Sequence, residues 1–88
     1  MSTYKDTAVD ENTFERVFSC DVDTSELIFH KDKRDREILD CDNEGGWMLQ
    51  MDNEIPKVIH KGLFIPKEVY HRLVKGTGDF HVLIKEFN

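Results

Sequence analysis

The sequence sets His30 and Asp32 one residue apart, with Glu37 five positions beyond Asp32 and His71 far along the chain. On an extended strand, side chains at i and i+2 share a face, so His30 and Asp32 can aim at one point. A turn after them can return the Glu37 carboxylate to that point, and His71 can bring a second imidazole. Two imidazoles with carboxylates make a borderline-to-hard donor set suited to Fe(II), Mn(II), Ni(II) or Zn(II). The absence of a thiolate disfavours softer ions. The competing reading is a solvated loop, because residues 30–37, HKDKRDRE, contain no apolar side chain.

Other groups have less to say. Trp47 and Gln50 are candidates to line a substrate pocket, although Trp47, Met48, Leu49 and Met51 read more simply as core and rim. Tyr70 and Arg72 flank His71 and could meet an anion, but strand alternation turns such neighbours away from the face His71 uses. His60 and His81 have no partner at a ligand spacing. Cys20 and Cys41 form no Cys-x-x-Cys pair, and Cys41 has no basic or histidine neighbour to activate it, so an inert thiol is expected. There is no glycine-rich phosphate loop, no Ser-His-Asp order and no zinc-finger cysteine pattern.

The elements that must position these residues are mostly short strands. Residues 1–12 are polar and unpatterned and read as a flexible tail, leaving 13–88 as one domain. Apolar runs at Phe14–Val22 and Leu27–Phe29 read as two strands around a turn, and the charged run that follows as a loop at a strand edge. Ile38-Leu39 and Cys41 resume a strand. Gly45-Gly46 then supplies a turn before the returning strand Trp47–Met51. Val58-Ile59 and Leu63–Ile65 are further short strands, and Phe80, Val82 and Ile84 mark a final strand of period two. Residues 66–76, PKEVYHRLVKG, fit a helix with proline in the first turn and Gly76 as C-cap. Propensity alone favours the helix. The same residues, split as Ile65-Pro66, a turn and Val69 to Val74, also suit a hairpin with β-branched and aromatic content, and the pattern leaves both open.

The spacing His30-x-Asp32-x-x-x-x-Glu37, followed by Gly45-Gly46, resembles the first motif of the cupin superfamily. The stretch Ile65-Pro66-x-x-x-x-His71 resembles the second, which sets a metal-binding histidine five residues after a proline. DREI, GGWMLQMDN and IPKEVYHRLVKG are also similar to small cupin-like proteins encoded by bacteriophages. The resemblance spans about residues 25–87. It implies an all-β fold: a small single-domain cupin-like antiparallel β-barrel, or double-stranded β-helix. It also implies a divalent transition metal held by His30, Glu37 and His71, with Asp32 standing where the family usually has a second histidine. Fold alone fixes no chemistry, so oxygenase, isomerase and small-molecule binding all fit.

Composition bounds the partners. At 88 residues, 39% hydrophobic and 34% charged, the chain makes one domain with a thin core, burying only about 60% of its unfolded surface. Net charge is −6, and residues 1–54 carry 15 acids against 6 bases while residues 55–88 carry 3 against 6. Such a split suggests halves lying against each other or a face meeting a charged partner. The acidity argues against nucleic acid, and no apolar run approaches the length of a membrane span. Without a signal peptide or a disulfide framework, cytoplasmic residence is expected, in a host cytoplasm if phage-encoded. The partners left open are a small molecule, a host protein bound through the acidic surface, and a second copy paired through edge strands.

Overall fold

The computed structural model describes residues 3–88, folded into two antiparallel sheets. The strands are β1 (Lys5–Ala8), β2 (Thr13–Phe18), β3 (Arg36–Asp42), β4 (Met48–Met51), β5 (Lys57–Val58), β6 (Phe64–Ile65), β7 (His71–Val74) and β8 (Phe80–Glu86). One sheet has the order β1-β2-β8-β3-β6 and the other β5-β4-β7. The period-two pattern of β8 sets the first sheet's inner face: Phe80, Val82 and Ile84 are buried while His81 is exposed. In register with them lie Phe18, Arg16 and Phe14 on β2 and Ile38 on β3. On the smaller sheet Leu49 pairs with Leu73 and Met51 with His71, and these four face the first sheet across the core.

The all-β expectation holds, but the hydrogen-bond ladders form two sheets and not one closed cylinder. Other sequence readings need correction. Residues 5–8, inside the expected tail, form β1 (Met1 and Ser2 lie outside the described residues). The strand has four exposed side chains and is held by backbone pairing to β2 and by two bonds from Arg16 to Asp6, at 2.8 and 3.0 Å. An edge strand needs no apolar face, so polarity could not reveal it. Leu27–Phe29 is not a strand. A 3-10 turn at Thr24–Glu26, capped by Asp23 accepting from the Ser25 N–H, drops Leu27 into the core and leaves Ile28 and Phe29 exposed.

The ambiguous segment 66–76 takes its extended form. Glu68 sits at φ 61°, which a right-handed helix cannot contain, and its N–H donates to the Asp32 carbonyl at 2.8 Å. Lys67 N–H donates to the Asp35 carboxylate at 2.7 Å, so the charged loop and this turn stitch together. No α-helix occurs among the described residues, so none is long and apolar enough to cross a membrane. Gly76 acts by close packing and not as a helix cap: a Cβ there would collide with the Gly45 carbonyl and lie 2.7 Å from the Trp47 nitrogen.

Candidate metal centre

His30 and His71 meet through their backbones. His30 N–H donates to the His71 carbonyl at 2.9 Å and His71 N–H donates back to His30 at 2.8 Å, forming an isolated antiparallel bridge. Residues paired this way project side chains to one face, and the imidazole centroids stand 4.6 Å apart. Asp32, two residues on, adds its carboxylate. One donor atom from each of His30, Asp32 and His71 lies within 4.8 Å of the others. His71 is nearly enclosed, Asp32 mostly so, and the His30 side chain is half exposed.

The protonation geometry favours a cation among them. Nδ1 of His30 lies 3.1 Å from the Ile28 carbonyl and Nδ1 of His71 2.9 Å from the Val69 carbonyl. A carbonyl only accepts, so each neutral ring carries its proton on Nδ1 and offers a bare Nε2 lone pair. Those Nε2 atoms face Asp32, at 3.3 Å from Oδ2 for His71 and 3.8 Å from Oδ1 for His30. Asp32 Oδ2 is buried and makes no hydrogen bond, and only Arg36 Nη1, at 3.4 Å, brings it a permanent positive charge. Burial pulls the Asp32 carboxyl upward. The positive charge of Arg36, joined by a hydrogen bond and charge from His71 and by the charge of His30 whenever those rings are protonated, outweighs that and holds it below the usual carboxylate range. A buried acceptor without a donor is costly, and a metal ion would satisfy it.

Glu37 is not in this group. Ile38 enters the core, and alternation along β3 then sends Glu37 to the opposite face, paired with Phe64 and Lys85. Arg36 takes the inward position instead. Its Nε and Nη2 bond Glu86 at 2.9 and 2.8 Å. Sequence reasoning missed Arg36, although period two counted back from Ile38 points to it.

Two cavities adjoin the cluster. An inner one of about 70 Å³ lies between the sheets, walled by Phe18, Ile38, Val82 and Ile84 against Leu49 and Leu73. His30, His71, Arg16 and Arg36 make its polar end. An outer cleft of about 250 Å³ contains Asp32 and shares Arg16, Phe18, His30, Arg36 and Leu73 with the inner cavity. The three donors thus span the partition: Asp32 faces the cleft, His71 the cavity, and His30 both.

The expected pocket residues lie elsewhere. Trp47 is wholly buried, stacked on Phe80 at 5.6 Å, with its indole N–H directed at the Thr77 and Gly78 carbonyls. Gln50 lies on the other face of its sheet, accepting from Arg72 at 2.8 Å. Neither lines the two cavities, and Arg72 turns outward over Phe29 as alternation expects. Burial pushes the Cys41 thiol up, with Asp40 and Asp42 adding to it, in keeping with an inert group.

No protein-family model matches the chain, and no curated protein matches it. The fold is similar to the crystal structure of protein NMB1881 from Neisseria meningitidis, with a TM-score of 0.62 and 19% identity, over 96% of this chain and 82% of that one. Identity at that level makes the likeness one of fold.

Proposed function

We propose that this is a small metal-binding, cupin-like protein that holds a divalent transition ion (Fe, Mn, Ni or Zn) through His30, Asp32 and His71. The observation that carries the reading is the Asp32 carboxylate between two imidazoles, its buried Oδ2 3.3 Å from His71 Nε2 and its Oδ1 3.8 Å from His30 Nε2, with both Nδ1 atoms engaged by carbonyls on the far side of their rings. What supports the cupin part is that the two motif-like stretches, around residues 30 and 71, meet between facing antiparallel sheets. Two histidines and one carboxylate leave coordination positions open for water or a small molecule. Such an ion, when bound, supplies Lewis acidity, or oxygen activation in the case of iron. The chain's own residues orient the donors: the Ile28 and Val69 carbonyls fix the rings, and Arg36 restrains the carboxylate.

The test is elemental analysis and calorimetric titration of chelator-treated protein with each of the four metals. Wild type and Glu37→Ala are expected to bind one equivalent, because Glu37 lies on the opposite face, while His71→Ala weakens binding at least about tenfold. A well-folded wild type that takes up none of the four overturns the proposal. The account left would be an acidic protein acting by surface contact with a partner.

A further inference from the structure

The inner cavity continues from the donor cluster into a space with apolar walls. Beyond its polar end the walls are apolar and offer water no partners, which favours hydrocarbon there. Its volume of about 70 Å³ is roughly half that of a cavity known to admit the six carbons of benzene, leaving room for about three carbon atoms. The approach is the outer cleft, and the half-exposed His30 stands between the two.

Charge sets the head group. Arg16 is matched by Asp6 and Arg36 by Glu86, so these guanidiniums are already neutralised. A dication with one carboxylate, Asp32, and two neutral imidazoles would leave one positive charge uncompensated in a mostly buried place. A monoanionic oxygen donor balances it.

We propose, resting on the metal reading above, that the site takes a short-chain aliphatic monocarboxylate of about four carbons. Its carboxylate lies at the His30–His71 end and its tail between the sheets against Ile38, Val82 and Leu73. Nothing in the cavity beyond that end offers a hydrogen bond to a second polar group, which disfavours dicarboxylates and sugar acids.

The experiment is calorimetric titration of the zinc-loaded protein with acetate, propionate, butyrate, hexanoate and octanoate, with 1-butanol and succinate as head-group and tail controls. Zinc content is measured on every sample. Affinity is expected to rise about fourfold per methylene up to butyrate, then to level or fall, with the two controls at least about tenfold weaker than butyrate. Val82→Phe fills the cavity and is expected to abolish the chain-length dependence with zinc retained. Val82→Ile, a milder change, keeps the test valid if the first variant does not fold. Equal affinities for acetate and butyrate in zinc-loaded wild type overturn the proposal and leave the metal reading standing, as does affinity still rising through octanoate. A protein that holds no zinc or other divalent metal overturns both.

Discussion

The behaviour of the site is concentrated in Asp32. Its carboxyl is held below the ordinary value of 3.8, so in acid the unfolded chain binds the proton more tightly than the folded one. The stabilisation is therefore complete above the ordinary value and is lost as pH falls through the lower folded value. Asp32→Asn, studied without metal by urea unfolding between about pH 3 and 5, is expected to flatten the acid limb of stability. An unchanged slope would mean that the carboxylate gains nothing from His71 and Arg36. The convergence of three of the four candidate residues was legible, because an i, i+2 pair and a distant histidine are patterns that a shared face reproduces. Glu37 was not, since a difference of one residue along a strand reverses the face, and only the anchoring of Ile38 in the core decides between Glu37 and Arg36.

Among the elements, strands with one apolar face were visible and those held by other means were not. β8 announces itself by alternation; β1 rests on backbone pairing and one arginine. The helix-like pattern of 66–76 loses to tertiary hydrogen bonds from Lys67 and Glu68, which fix a turn no propensity describes. The turns at the Trp47 end show the same logic. Asn43 accepts from the Trp47 N–H at 2.7 Å and donates to the carbonyls of Trp47 and Ile59, tying the β3–β4 turn to the chain beyond β5. Gly45 and Gly76 let that turn close on the β7–β8 turn, where Thr77 N–H donates to the Gly45 carbonyl at 3.1 Å. Gly76→Ala forces a methyl group against backbone on two sides and displaces Trp47, the largest wholly buried side chain. The expected cost is about 1–3 kcal/mol in urea unfolding. An unchanged midpoint would show that the two turns separate without loss.

At the scale of the molecule, the split of charge along the chain is only partly met by direct ion pairs. Among the described residues, the lysine and arginine ion pairs joining the two halves are Lys31–Glu68 and Arg36–Glu86, in which bases of the acidic half meet acids of the basic half, while His71 of the second half lies against Asp32 of the first. Pairing leaves the net charge of −6 unchanged, and the long-range field favours cations. A thin core adds to the consequence, because a small domain has little stability of its own and any ligand of the native state contributes a large share. With Zn(II) at 100 times its dissociation constant, linkage gives about 2.7 kcal/mol. In a chain of this size each kcal/mol moves the melting temperature by about 4–8 °C. A rise of about 10–20 °C is therefore expected by differential scanning calorimetry. His71→Ala at the same zinc concentration should lose most of that rise while still unfolding cooperatively. An equal rise in both proteins would mean that zinc acts on the acidic surface at large, and the cluster between the sheets would then hold no special ion.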